Sequence, residues 1–339
     1  MKYFITGGCG FLGSNIAKAL LSNGFDLMIL DNLSRVGSEQ NLQWLQDQGK
    51  FKFFKGDVTE SELMNSLIAE YQPDIIYHFA GQVAMTTSLQ NPRLDFNINA
   101  LGTLNVLEAT RKFCPNAGII YSSTNKVYGD LEECEFSEND SRYLMPDYPH
   151  GLPETMQLSF HSPYGCSKGA ADQYVLDYAR MFGLKTAVFR HSSMYGGRQF
   201  STYDQGWIGW FCQQATLQSL NKGSEFTISG NGKQVRDILH ADDMVSLYTT
   251  AALKLDLITG EAYNIGGGME NSYSILELLS QLESMLGNPL QWRSIDPRES
   301  DQRVFVADLS KINKAIQWSP KISKIDGLKK MIEWTKSNL

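Results

Sequence analysis

Lys2-Tyr3-Phe4-Ile5-Thr6-Gly7-Gly8-Cys9-Gly10-Phe11-Leu12-Gly13 is a short β-prone run that ends in glycines and leads straight into a helical pattern. Gly7, Gly10 and Gly13 have the spacing G-x-x-G-x-x-G. Glycines at such positions permit a tight turn, close approach of backbone to a pyrophosphate, and close packing of helix on strand. The helix start at Phe11, Leu12 and Gly13 then offers free N–H groups and a positive dipole end to the diphosphate. A glycine triplet alone is equally compatible with a structural turn. Its place between the first strand and first helix of a βαβ unit points to a dinucleotide site.

Working outward, apolar runs alternate with helical patterns as far as residue 190. Strands are expected at Lys2–Thr6, Phe25–Leu30, Phe51–Phe54, Asp74–Phe79, Ala117–Tyr121 and Lys185–Arg190, with helices near 11–23, 38–48, 60–70, 92–113 and 163–182. Continuous apolar strands such as FDLMIL suit a sheet covered on both faces. The expected fold is therefore α/β: a Rossmann-type doubly wound parallel sheet over residues 1–190. Residues 191–339 read as a smaller mixed α/β subdomain, with helices near 207–220, 241–254, 274–286, 310–317 and 324–337 and strands at Glu225–Ile228 and Ala262–Ile265. No linker separates the halves, so chain crossings between them are allowed. Leu131–Ser162 is polar, proline-containing and aperiodic, and reads as a long loop over a site.

The second strand ends at Asp31, 18 residues past Gly13, where a carboxylate can bind the adenosine ribose and repel a 2′-phosphate. That favours NAD over NADP. Arg35, which could pair with such a phosphate, pulls the other way, and Asn32 and Ser34 share its turn. Asp57 and Val58 follow the third strand and are placed to meet the adenine edge; a solvated loop aspartate is the competing reading. Phe79-Ala80-Gly81 follows the fourth strand with small residues where backbone must approach the cofactor, or where a simple turn is needed.

A net charge of −7 gives no general attraction to nucleic acid or to an anionic membrane. With 42% hydrophobic and 20% charged residues, the chain is neither disordered nor fibrous. It has no apolar run long enough for a membrane span and no signal-peptide pattern at its start. The five cysteines are scattered, without metal-ligand spacing, and read as reduced thiols. A cytoplasmic protein without a metal centre is expected.

Tyr164-Gly165-Cys166-Ser167-Lys168 is Y-x-x-x-K, which on a helix puts phenol and ammonium on one face. An ammonium beside the phenol favours the phenolate, so Tyr164 could act as a base near neutral pH. One strand earlier, Ser122-Ser123-Thr124 supplies hydroxyls for a reacting alcohol or carbonyl, or merely a helix cap. Arg236 and Arg298 are candidate diphosphate clamps, because guanidinium matches phosphate geometry; ordinary salt bridges are the alternative. Trp207, Trp210 and Phe211 read as core or interface.

These segments, with HFAGQ at 78–82, SSTNKVYG at 122–129, RHSSMYGGRQ at 190–199, YNIGGG at 263–268 and PRESDQR at 297–303, resemble the extended short-chain dehydrogenase/reductase family of nucleotide-sugar enzymes over nearly the whole chain. The resemblance implies bound NAD, a catalytic set of Thr124, Tyr164 and Lys168, and Asn99 supporting the active-site helix. On the cofactor side it adds Ser122 and His191. On the substrate side it implies Gln82, Ser123, Asn125, Ser193, Gln205 and Asp301 beside the two arginines; relatives often carry asparagine at the Ser193 position. Dehydratases of the family follow the threonine with Asp-Glu, whereas this chain has Asn125-Lys126, which cannot serve as that carboxylate pair. A narrower resemblance, through SSTNKVYGD and RHSSMYGGRQFSTYDQGW, is to epimerases that invert C2 of a CDP-linked dideoxyhexose of the kind used in lipopolysaccharide O-antigen. A UDP-sugar 4-epimerase is the runner-up, and a non-enzymatic NAD sensor the reading from another class. The family also implies a homo-oligomer, dimer or tetramer, formed through the helices at 92–113 and 163–182.

Overall fold

The computed structural model describes residues 1–298 and 301–339. Strands β1 (Lys2–Thr6), β2 (Asp26–Asp31), β3 (Lys52–Lys55), β4 (Ile75–His78) and β5 (Gly118–Thr124) form a parallel sheet with two later strands, Lys185–His191 and Glu261–Ile265. From one edge the order is Glu261–Ile265, Lys185–His191, β5, β4, β1, β2, β3. The chain order reverses between β1 and β4, and there the ends of the strands leave a crevice that takes ligands in such sheets. Glu261–Ile265 lies far along the chain yet pairs in register with Lys185–His191, from Glu261 opposite Ala187 to Ile265 opposite His191.

Both faces of the sheet are covered, as its unbroken apolar strands require. Helix α1 (Phe11–Ser22) turns Ile16, Ala17 and Leu20 onto one face, joined by Met244, Leu247 and Ala251 of the helix Ala241–Leu253. Helices α2 (Ser38–Gln46) and α3 (Ser61–Tyr71) take opposite faces, with Leu45 in the first core and Met64 and Ile68 in the second. Each fully buried Leu or Ile contributes roughly 1.5–3 kcal/mol to such a core.

The expected single helix at 92–113 is broken. Short helices α4 (Met85–Gln90) and α5 (Pro92–Phe96) precede a π-turn at Asn97–Leu101, and regular α6 starts only at Gly102 and ends at Phe113. Inside that turn Asn99 is buried and clamps the backbone of Gln82, accepting from its N–H at 2.9 Å and donating to its carbonyl at 3.0 Å. Its amide also donates to the Ser167 hydroxyl at 3.0 Å, which ties the turn to α7 (Ser162–Phe182).

The aperiodic stretch 131–162 holds only a two-residue strand pair, Ser137–Glu138 with Tyr143–Leu144. It nonetheless buries Leu131, Met145 and Leu152 against Val235 and Val304–Ala307, and Leu152 donates its N–H to the Val306 carbonyl at 2.7 Å. Beyond residue 191 a separate core gathers Ile208, Phe211 and Cys212 of α8 (Trp207–Ser219) with Leu278, Leu282 and Met331. Small sheets there pair Phe226–Ser229 with Trp292–Ile295, and Val235–His240 with Ser193–Tyr195, Ser272–Ser274 and Val304–Phe305. No helix among the described residues is long and apolar enough to cross a membrane.

Candidate active site

The glycine turn takes its shape from contacts that leave no room for side chains. Gly7 has φ of +70°, and a Cβ there would stand 2.7 Å from the Ala80 nitrogen. A Cβ on Gly13 would stand 2.4 Å from the Gly7 carbonyl oxygen, so α1 can sit this close to β1 only with glycine at 13. Gly13→Ala is expected to cost about 2–3 kcal/mol through overpacking; thermal unfolding of the variant against the parent checks this. Helix α1 begins without a side-chain cap at Gly10, and its first backbone bond runs from Ser14 N–H to the Gly10 carbonyl at 2.9 Å. The N–H groups of Phe11, Leu12 and Gly13 are thus left for another acceptor.

All three face a cavity of about 400 Å³ at the crevice, lined further by Gly7, Gly10, Asp31, Asn32, Ser34, Arg35, Asp57, Val58, Phe79, Ala80, Gly81, Gln82 and Ser122. Asp31 accepts from the N–H groups of Cys9 at 2.9 Å and Leu33 at 2.8 Å. Burial raises the Asp31 carboxyl above its ordinary value, against the downward pull of those two N–H groups. Asn32 donates to the Asp57 carboxylate at 2.7 Å, joining the two loops that line the far end. An uncapped helix start, a floor of glycines and a strand-end carboxylate together fit the two phosphates and ribose of a dinucleotide. Asn41, Arg198 and Phe200 also line this cavity. Arg198 and Phe200 lie in a segment that carries the resemblance but were not singled out, and nothing in its local pattern marks Asn41, which reaches the site by donating to the Cys9 carbonyl at 3.0 Å.

A second cavity of about 500 Å³ adjoins the first, the two sharing Val83 and Gln205. Its walls include Thr124, Asn125, Tyr164, Ser193, Gln205, Arg236, Arg298 and Asp301. Tyr164 lies in the first turn of α7 and Thr124 at the end of β5, and both line this cavity. Burial pushes the Tyr164 phenol up to about 12, with the Thr124 hydroxyl pulling down and the Asp95 charge adding to the rise. The acidification expected from the neighbouring ammonium is not what sets the phenol; burial dominates. Lys168, one turn on, donates from Nζ to the Ser122 carbonyl at 2.5 Å and lies 4.2 Å from the Tyr121 ring centroid. Burial draws its amine down to about 7, while Asp172 and Asp95 work against that fall. A methyl on Gly81 would stand 3.8 Å from Lys168 Nζ, so this amine sits beneath the wall of the first cavity.

Arg236 pairs with Asp301 at 2.7 Å along the second cavity. Arg298 lies 4.6 Å over the Tyr203 ring and donates to the Tyr203 carbonyl at 3.1 Å. Ser193 accepts from the Trp207 indole at 2.8 Å. Trp207, Trp210 and Phe211, expected in core or interface, do pack with the core around Ile208 and Leu278, and they also lie with Tyr203 on the cavity wall. Lys126 also faces this cavity, where burial first and then Arg236 draw its amine down to about 8, with Asp301 and Asp130 opposing.

Four singled-out residues lie outside both linings. Ser123 donates its hydroxyl to Asp172 at 2.8 Å beneath the sheet end, and Asn99 holds the Gln82 backbone. His191 is buried against the Tyr248 hydroxyl at 2.8 Å, and burial lowers its imidazole to about 3. Lys168, the fourth, supports β5 from below. Gln82, expected on the substrate side, lines the first cavity instead; its amide is engaged by Ala84 and Asp95.

The chain is 59% identical to CDP-paratose 2-epimerase of Salmonella typhi over 99% of its own length and 100% of that protein's. It superposes on UDP-glucose 4-epimerase of Thermotoga maritima, solved with UDP-glucose, with a TM-score of 0.84 and 28% identity, covering 100% of this chain and 99% of that one. Against UDP-glucuronic acid 4-epimerase of Bacillus cereus, solved with UDP-glucuronic acid and NAD, the TM-score is 0.84 at 26% identity with both chains fully covered. The GDP-mannose 4,6 dehydratase family profile matches residues 4–331, and the chain belongs to that family of extended short-chain dehydrogenase/reductases.

Proposed function

We propose that this protein is an NAD-dependent nucleotide-sugar epimerase that inverts C2 of CDP-paratose to give CDP-tyvelose. The observation that carries this reading is the meeting of the two cavities: the Tyr164–Thr124 pair lines the one that adjoins the glycine-floored crevice. The choice of C2 and of cytidine rests on the 59% identity to the Salmonella typhi enzyme. NAD, held by Gly7, Gly10, Gly13, Asp31 and their neighbours, supplies reversible two-electron oxidation when bound.

Tyr164 takes the proton from the C2 hydroxyl as that carbon is oxidised and returns it after the keto-sugar has turned its other face. The Lys168 amine, below the cofactor wall, stabilises the phenolate when charged. Thr124 holds the reacting oxygen. Asn125 and Lys126 cannot provide the acid and base of a dehydration, so the 2-keto-sugar is returned rather than committed to water loss. A turning sugar needs a fixed tether, and we assign the diphosphate to Arg236 and Arg298. Arg298→Ala is expected to raise KM for the nucleotide sugar about tenfold with kcat within threefold, an effect the size of one charge-assisted bond. Initial-rate kinetics decide it. Asp31→Ala is expected to reduce the preference for NAD over NADP about tenfold or more, because the carboxylate that repels a 2′-phosphate is gone; titration of apoprotein with both cofactors measures it.

We assign residues 1–190 to cofactor binding and 191–339 chiefly to the sugar nucleotide, in a cytoplasmic homo-oligomer that neither binds nucleic acid nor associates with membranes. Incubation with CDP-paratose and, separately, UDP-glucose, with products read by NMR, tests the activity. Conversion of the UDP-sugar alone would overturn the assignment. Substrate deuterated at C2 should keep its label through turnover, and label lost to solvent would exclude internal return.

A further inference from the structure

Gln302 is fully buried, 177 residues from Asn125 in the chain, and bonds that residue and the turn that follows Thr124. Its Nε2 donates to the Gly129 carbonyl at 2.6 Å and, more weakly, to the Asn125 carbonyl at 3.4 Å. Main-chain carbonyls only accept, so they determine which end of the Gln302 amide is nitrogen. Oε1 is thereby turned to Asn125 and accepts from its Nδ2 at 2.7 Å. That bond in turn leaves Asn125 Oδ1 facing the Thr124 hydroxyl, which donates to it at 3.4 Å. The orientation of two amides is thus dictated by one backbone carbonyl and passed to the hydroxyl beside Tyr164.

We infer that Asn125 and Gln302 are positioning residues that give the Thr124 proton a second acceptor. A hydroxyl beside a carbon that alternates between alcohol and ketone must change roles. It accepts from the alcohol, and it donates once the oxygen has become a carbonyl. With its proton resting on Asn125 Oδ1 and one lone pair taken by the Lys126 N–H at 3.3 Å, Thr124 presents its remaining lone pair to the alcohol. The 3.4 Å separation is long enough for the proton to swing back to the ketone without losing a strong bond. Gln302 prevents the Asn125 amide from flipping, which would put an N–H donor against Thr124 and freeze it as a donor. No net proton is moved by this exchange; the hydroxyl only rotates.

The inference rests on the epimerase reading, and the test separates the two. Parent turnover of CDP-paratose is measured first; its absence would overturn both. Asn125→Leu and Gln302→Met, which keep side-chain size, are each expected to lower kcat about tenfold with KM within about twofold, as for one hydrogen bond lost in the reacting state. In a Thr124→Val background neither substitution should lower kcat further, since the hydroxyl they orient is gone. The melting temperature should still fall with Gln302→Met there, because Gly129 loses its buried partner. Single variants with kcat within twofold of the parent would overturn the inference and leave the parent's epimerisation standing. So would losses that multiply undiminished in the Thr124→Val background, as expected of a purely structural role.

Discussion

Tyr164→Phe is expected to lower kcat about 10³-fold, equivalent to ~4 kcal/mol of barrier, while KM stays within a few-fold and the cofactor remains bound. The phenol ring lies in the first turn of α7 on the wall of the second cavity, so phenylalanine preserves the packing and removes one oxygen. That oxygen is the titrating group of the Thr124–Tyr164 pair. The Thr124 hydroxyl does not replace it, being far too weak an acid to be deprotonated near neutral pH. Rapid-quench or NMR kinetics with CDP-paratose measure the effect. Turnover within tenfold of the parent would remove Tyr164 from proton transfer. Because burial holds the free phenol near 12, the parent's rate should also depend on a charge that lowers it. Lys168→Met should therefore displace the pH–rate profile to higher pH, since loss of the ammonium leaves the phenol less acidic.

The second large effect is on stability. Arg190→Met is expected to cost about 3–5 kcal/mol, a fall in Tm of about 4–7 °C at the unfolding entropy typical of this chain length. Arg190 and Asp172 are 4% and 0% exposed and meet in a two-pronged contact, Nε to Oδ2 and Nη2 to Oδ1, each at 2.9 Å. Arg190 also donates from Nη1 to the Tyr128 hydroxyl at 3.0 Å, which passes its own proton to Asn264 at 2.8 Å. Removing the guanidinium strands a carboxylate that retains only the Ser123 hydroxyl and Gln173. Calorimetry on Arg190→Met, and on the double variant with Asp172→Leu, makes the comparison. The double variant should recover part of the loss, because no unpaired charge stays buried; a double variant no more stable than the single one would place the cost in packing rather than charge.

Much of the cofactor cleft was legible in the residues themselves. Gly7, Gly10 and Gly13 at the end of an apolar run describe a strand, a turn and a helix start that are contiguous in the chain. Asp31, Asp57 and Ala80 follow strands whose parallel order then delivers them to one edge, where all three line the same cavity. Tyr164 and Lys168 were legible because a helix relates positions four apart without help from the rest of the fold. The role of each hydroxyl in Ser122-Ser123-Thr124 was not. Ser123 alternates with Thr124 along β5 and so points to the other side of the sheet end, to Asp172.

Sequence by itself determined what is local here: strand and helix periods, the glycine turn, and the i, i+4 pair on α7. It also supplied residue types that pair only with something distant and do not say with what. Only the tertiary structure placed Gln302 on Asn125, Asp301 on Arg236, and strand Glu261–Ile265 beside Lys185–His191. It alone showed that Trp207 and Trp210, packed against a core as expected, also form a cavity wall. The reason is physical. Backbone geometry correlates neighbours over one or two turns of chain, whereas an amide at 302 finds its acceptor through the burial of everything between, and its meaning for Thr124 exists only once that burial is complete.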